Sequence, residues 1–183
     1  MSPIKVKLDR VQDADHRLLA SLADVFAVSR GKAPYVFQPN ELARTAYDHF
    51  LTAVASEDPS EVIVIARHPL ADDFATQDIV GVGHARLKAP WTYAVDPKLD
   101  ILSVSVLPNF RSQRIGEALV AGLEFNALPM VKGRDTALER VIVPSNAPAA
   151  IRLFFGIGFR PVRSLPGARV MTRVVEPAAI LAA

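Results

Sequence analysis

The sequence predicts an α/β (mixed α+β) chain, with six to seven strands in one mixed sheet and helices on both faces. Three observations lead there. Short β-branched runs alternate with stretches whose apolar residues recur at helical spacing. Three strands follow one another in the middle of the chain, as antiparallel neighbours do, while helices separate the strands toward either end, as crossovers do. Finally, 183 residues that are 50% apolar and 22% charged are enough for one core and too apolar for disorder. Residues 1–183 are therefore read as one domain, with neither an internal repeat nor an interdomain linker.

Residues 4–8 alternate at period two and predict the first strand. Asp13 or Asp15 is placed to cap a helix whose face carries Leu18, Leu19, Leu22, Val25 and Phe26. Residues 29–39 hold Gly, two Pro and two aromatics and predict a loop. Asn40 is then placed to cap a second helix through Ala43, Tyr47, Phe50, Leu51 and Val54. Residues 61–66 predict a strand, 78–87 its hairpin partner, and 99–106 a third strand stopped by Pro108. Helical spacing resumes over 115–127, followed by a short buried-type strand at 140–143. Asn146 is placed to cap a last helix, with Pro148 in its first turn and Gly156 and Gly158 ending it. Strands over 159–163 and 169–175 close the order β-α-α-β-β-β-α-β-α-β-β. Phe50, Phe125 and Phe159 are read as core.

Composition narrows the function. With no Cys there is no disulfide framework, thiolate metal site or cysteine nucleophile. His16, His49 and His68 show no metal-ligand spacing, so no metal is expected. The opening residues lack the apolar run of a signal peptide, and no stretch approaches a membrane span, so a cytoplasmic protein without a membrane partner is expected. The net charge of +2 averages two unlike halves: residues 1–100 carry 11 basic and 14 acidic side chains, and residues 101–183 carry 10 and 5. The basic half suits an anionic ligand. It has no cluster of five basic residues, so nucleic acid is not the expected partner.

The segment that carries chemistry is Leu102 to Leu119. A strand runs into Pro108, then a short basic loop, then a helix starting near Ile115. The first N–H groups of a helix lack partners and form the positive end of its dipole, which makes an anion site. Gly116 removes a Cβ where a phosphate would approach, and Arg111 and Arg114 add full charges beside it.

This segment resembles the acyl-CoA motif of the GNAT acetyltransferase superfamily: strand, Val-x-Pro, x-aromatic-Arg, x-x-Gly-x-Gly, helix. Here it reads Val106-Leu107-Pro108-Asn109-Phe110-Arg111-Ser112-Gln113-Arg114-Ile115-Gly116-Glu117-Ala118, with Arg114 at the first glycine and Gly116 at the second. Residues 146–159 are similar to the family's second signature, Asn-x-x-Ala-x-x-Leu-Tyr-x-x-x-Gly-Phe. They differ by one extra residue after Asn146 and by Phe154 at the usual Tyr position.

The resemblance implies an N-acetyltransferase using acetyl-CoA as co-substrate, in a sheet splayed between the strands at 99–106 and 140–143. Residues 1–60 would hold the acceptor-side elements, and 99–128 and 140–159 the acyl-CoA motifs. The pantetheine arm would bond backbone near Val104 and Val106, and the pyrophosphate would lie over the N–H groups of Gln113, Arg114, Ile115, Gly116, Glu117 and Ala118. Ser112, Arg111, Asn146, Arg152 and Phe154 complete the expected cofactor contacts. An amine nucleophile needs a base, for which Asp100 is the first candidate and His84 the second. With period-two alternation, Asp100 shares a face with Leu102, Val104 and Val106, opposite Ser103 and Ser105. Ser105, Ser145 or Tyr93 would supply the hydroxyl that Phe154 lacks. Tyr35, Phe37, Trp91 and Tyr93 would wall the pocket for a small-molecule or peptide amine. A non-catalytic acyl-CoA-binding module is the alternative, and a homodimer is left open.

Overall fold

The β-branched runs assemble into one seven-stranded sheet in the computed structural model, which describes residues 7–32, 41–56, 58–68, 79–88, 97–131 and 136–176. The elements are β1 (Lys7–Val11), α1 (His16–Val28), α2 (Glu41–Ala55), β2 (Glu61–Arg67), β3 (Ile79–Lys88), β4 (Lys98–Val106), α3 (Ile115–Ala127), β5 (Ala137–Pro144), α4 (Pro148–Gly156), β6 (Arg160–Leu165) and β7 (Ala168–Val175). Their order across the sheet is β1-β2-β3-β4-β5-β7-β6. Every neighbouring pair is antiparallel except β4 and β5. No helix among the described residues is long and apolar enough to cross a membrane.

Alternation along β2 divides the core in two. Val62, Val64 and Ala66 pack under α3 and α4 with Ile115, Leu119, Leu123 and Phe154, whereas Ile63 and Ile65 pack under α1 and α2 with Leu19, Leu22 and Phe50. Of the two possible caps of α1 it is Asp15 that serves, accepting the Leu18 N–H at 2.8 Å. Asn40 lies outside the described residues.

Several expectations are corrected. Among the described residues the first strand, β1, runs Lys7–Val11, past the predicted end at residue 8, because Val11 still pairs with Ile63; residues 4–6 lie outside the described residues. The β5 strand begins at Ala137 rather than 140, since its full length pairs with β7. Asn146 does not cap α4: the cap position is Ala147, with no side-chain bond. Phe125 is not core but 59% exposed on α3.

The correction with the largest consequence lies in β4. His84 pairs with Ser103 but the next residue, Ala85, pairs with Ile101, so Leu102 is an extra, bulged residue. A bulge switches the parity of a strand. Asp100 therefore shares a face with Ser103 and Ser105, toward α1 and α2, while Leu99, Ile101, Val104 and Val106 face α3.

Gly116 also has a different reason from the one expected. A Cβ there would lie 3.0 Å from Cδ2 of Leu153, so the missing side chain lets α3 and α4 approach each other. Overpacking a contact of this kind costs about 1–3 kcal/mol. Gly116→Val should therefore destabilise the protein, and Leu153→Ala should relieve the clash, so that the two changes together cost less than their sum in denaturant melts. Additivity to within about 0.5 kcal/mol would contradict the contact.

One ionic cluster is buried under α3. Arg173 on β7 donates to Oε2 of Glu139 at 2.6 and 2.8 Å, to Glu124 on α3, and to the carbonyl of Ile157 at 2.7 Å. One guanidinium thus serves two carboxylates, and Oε1 of Glu139 has no hydrogen-bond partner among the described residues. Burial, then repulsion from Glu124, pushes the Glu139 carboxyl up to about 7. A carboxyl raised on folding takes up a proton, so its stabilisation is complete below the usual range near 4.3 and is lost as pH rises through about 7. Urea melts should show the protein losing on the order of 1–3 kcal/mol between pH 5 and pH 8. Glu139→Gln should flatten that decline, and an unchanged slope would show that the cluster does not titrate.

Candidate functional site

The parallel pairing of β4 with β5 lasts only four residues, from Lys98 opposite Leu138 to Ile101 opposite Val141. β4 then continues to Val106 beside β3, and β5 continues to Pro144 beside β7. Residues 102–106 thus have β3 on one side and no paired strand on the other, and the sheet opens into a V. The bulge at Leu102 stands where the strands part.

Asp100 sits at the closed end of this V. Its two oxygens accept from Nε and Nη2 of Arg140, its partner across the strands, at 2.7 and 2.8 Å, and Lys88 Nζ lies 2.9 Å away. Burial alone would raise the carboxyl, but bonds from Arg140 and Lys88 outweigh it and hold Asp100 below the ordinary carboxylate range. A carboxylate so held is a clasp between strands and a weak proton acceptor, which does not suit the role of base expected for it.

At the open end the backbone prepares an anion cradle. Pro108–Phe110 form a single tight turn, and Ser112 and Arg114 then adopt left-handed backbone, each at φ 62°. Such a conformation costs roughly 1–2 kcal/mol for a residue with a side chain. Arg114 therefore holds the conformation for which its motif position favours glycine. The side chain of Arg114 makes no cap, and the first backbone bond into α3 runs from Ala118 to Arg114. The N–H groups of Ile115, Gly116 and Glu117 accordingly stand at the helix start without intrahelical acceptors. Beside them, Oε1 of Gln113 is buried without a hydrogen-bond partner among the described residues, while its Nε2 donates to Asn109 at 3.3 Å. Strained backbone, uncapped donors and an unsatisfied amide oxygen together fit a bound polar group.

The arginines are arranged differently from expectation. Arg111 reaches back to the carbonyl of Ser29 at the end of α1 and lies 3.4 Å from the carbonyl of Val106, so it braces the loop. Arg114 pairs with Glu117 at 2.8 Å. An anion at this helix start would meet backbone N–H groups first. The side chains of Val104 and Val106 pack toward α3, which leaves their backbone at the open edge.

On α4, Arg152 is exposed, and Asn146 is exposed in the turn that precedes the helix. Phe154 is buried against Phe159, with ring centroids 5.2 Å apart, so it is a core residue rather than a cofactor contact. The side chain that meets the start of α3 is Leu153. Neither carries a hydroxyl. Ser145 is exposed in the turn before α4.

The opposite face of β3 and β4, under α1 and α2, carries a polar row. The hydroxyl of Ser105 accepts from Arg30 at 3.0 Å, and that guanidinium lies 3.6 Å over the Phe26 ring. The Ser103 hydroxyl is buried without a partner among the described residues. His84 is wholly buried, with Nε2 2.7 Å from Glu61 and Nδ1 2.7 Å from His49. It therefore has no open path to a substrate and is not itself a base. On the same face Ile142 of β5 and Val174 of β7 stand exposed. Tyr35, Phe37, Trp91 and Tyr93 lie outside the described residues. The described residues contain no group of three or more potential metal ligands.

Ser103, Arg30, Arg140, Lys88 and His49 belong to this site and were missed by sequence reasoning. Arg140 and Lys88 had no signal because they meet Asp100 across strands, and the bulge at Leu102 hid that Ser103 shares the face of Asp100.

No protein-family model matches the sequence, and no curated protein matches it. Solved structures do match over nearly the whole chain. The PaiA N-acetyltransferase of Thermoplasma acidophilum, solved with coenzyme A, has a TM-score of 0.67 at 15% identity, covering 91% of this chain and 98% of its own. NAA60 of Arabidopsis thaliana, solved with acetyl-CoA, has a TM-score of 0.62 at 14% identity, covering 93% and 99%. PH1933 of Pyrococcus horikoshii has a TM-score of 0.64 at 19% identity, covering 92% and 98%. The splayed seven-stranded sheet of this chain is the fold of the GNAT acetyltransferases.

Proposed function

We propose that this chain is an N-acetyltransferase that moves an acetyl group from acetyl-CoA to an amine by direct attack while both are bound. The observation that carries the reading is the open edge of β4, which one tight turn and a short strained loop connect to the uncapped start of α3. An extended amide-bearing arm would add to that edge as a strand adds, and a diphosphate would take the N–H groups of Ile115, Gly116 and Glu117. Acetyl-CoA and CoA in the similar structures support the choice of co-substrate.

The sequence has no Cys, so acyl transfer through a cysteine of this chain is closed, which favours direct attack of the amine on the thioester. An alkyl ammonium of pKa about 10.4 costs roughly 4.6 kcal/mol to deprotonate at pH 7. Protonating the departing thiolate, of pKa about 8.5, demands much less, because the thiol is the favoured form at pH 7. A base is therefore the greater need, and water can protonate the thiolate where α4 offers only Leu153 and Phe154. The β5 and β7 face, with Ile142 and Val174 exposed beside the polar row, would seat the apolar stem of the amine.

The absent hydroxyl on α4 also favours a second reading, an acyl-CoA-binding module without turnover. A thermal shift with acetyl-CoA followed by thiol release over a panel of amines separates the two. At about 100 times its dissociation constant a ligand adds about 2.7 kcal/mol, a rise of roughly 5–10 °C for this length. No shift would sink both readings, and a shift without thiol release would leave the module. For Asp100→Asn the expected result is a lower Tm and weaker acetyl-CoA binding with an unmoved pH profile of turnover. A moved profile would return Asp100 to the role of base.

A further inference from the structure

The transferase reading above lacks a base, and the polar row under α1 and α2 contains one that no local motif marks. Glu61 of β2, His84 of β3 and His49 of α2 form a continuous chain of hydrogen bonds, each histidine contact 2.7 Å long. Glu61 also takes the guanidinium of Arg86 on its other oxygen, and a carboxylate in that ion pair offers His84 only an acceptor. Nε2 of His84 must then donate to Glu61, so Nδ1 of a neutral His84 is an acceptor. His49 Nε2 must donate to it, and the only basic nitrogen left is Nδ1 of His49. That ring is on the exposed side of α2, whereas His84 is 0% exposed and the Glu61 side chain 7%.

The position suits the open edge. His84 lies directly across from Ser103, the second β4 residue beyond the last pair with β5. The backbone of His84 therefore stands one strand spacing, about 4.8 Å, from the strand that forms the edge, with His49 held on its Nδ1 from α2 and Glu61 one strand farther on β2. The Ser103 hydroxyl, without a partner among the described residues, stands on that edge strand and on the same face as His84.

The geometry points to His49 as the general base of the acetyl transfer, with His84 and Glu61 as positioning residues that fix its tautomer. Nδ1 of His49 takes a proton from the amine as its nitrogen bonds to the thioester carbonyl carbon. The carbon–sulfur bond then breaks, the thiolate leaves with the electron pair and is protonated by water, and the exposed His49 returns its proton to solvent. Groups facing the pair are Glu61 from β2, Arg86 from β3, Asp100 with its cations Arg140 and Lys88 from β4 and its neighbours, and Arg30 from α1 on Ser105. Burial drives His84 down to about 4 against the opposing bond from Glu61, and burial lowers His49 as well, so both are neutral at pH 7.

The test compares wild type, His49→Ala and Glu61→Gln by acetyl-CoA thermal shift, by turnover against pH and by nitrogen chemical shifts of the imidazoles. His49→Ala should keep the acetyl-CoA shift, lose about 100-fold or more in turnover and lose the acid limb that breaks below 6.5. Glu61→Gln presents an amide donor to His84, reverses both tautomers and should cost at least about tenfold while moving that limb. The resonances of wild-type His49 should show Nε2 protonated and Nδ1 bare. Full turnover with an unchanged acid limb in His49→Ala, or a His49 protonated on Nδ1 at neutral pH, overturns the assignment and leaves the transferase reading standing. A wild type that releases no thiol with any amine overturns the transferase reading and the base together.

Discussion

The brevity of the β4–β5 pairing governs the rest of the molecule. Four residue pairs join the antiparallel block β1-β2-β3-β4 to the block β5-β7-β6, and Asp100 fastens that short seam by accepting both Arg140 nitrogens and Lys88. A parallel ladder of this length is weak in itself, so a half-buried charge-assisted clasp beside its last pair has a structural purpose. Beyond it, the unpaired backbone of 102–106 cannot stay dry and unsatisfied. It needs water or an extended ligand, which makes a binding edge out of what would otherwise be a defect in the sheet.

The seam also divides labour between faces. The α3 side is apolar up to the uncapped helix start, where strained backbone at Ser112 and Arg114 aims N–H groups outward. Strain of this kind persists only where surrounding structure holds it, and here Arg111 braces the loop against Ser29. The α1 and α2 side carries the ionisable groups, with Glu61, His84, His49, Arg86, Asp100 and Arg30 in one row. The charge asymmetry of the sequence takes on a meaning in this frame: the acidic half builds the side proposed for a cationic amine, and the basic half the side proposed for phosphates.

The sequence made legible whatever is local. Helical spacing located α1, α2 and α3, β-branched runs located β2 and β3, and the Pro108–Gly116 stretch marked the turn into α3. What it hid depends on partners distant in the chain. The bulge at Leu102 leaves one trace, the adjacent apolar pair Ile101-Leu102 that moves the apolar positions from 99 and 101 to 104 and 106, but strict period-two counting passes over it and reversed the face assigned to Asp100. Gly116 was legible as a glycine that must stay small, but its neighbour Leu153, 37 residues on, was not. His84 drew notice as a histidine on a strand; that it is sealed off and speaks through His49 requires the packing of α2 on β3, 35 residues apart. Phe154 was aligned by counting back from Gly158, but its burial against Phe159 depends on how α4 packs on the sheet, which that count does not show.

Amide hydrogen exchange with and without saturating acetyl-CoA tests the central claim most directly, because it reads the backbone itself. If the splay is the co-substrate edge, exchange slows at residues 103–106 of β4 and at 113–118 around the start of α3, and hardly changes in β1 and β2. Slowing confined to other strands, or none at either segment under conditions where acetyl-CoA raises the Tm, would contradict the account.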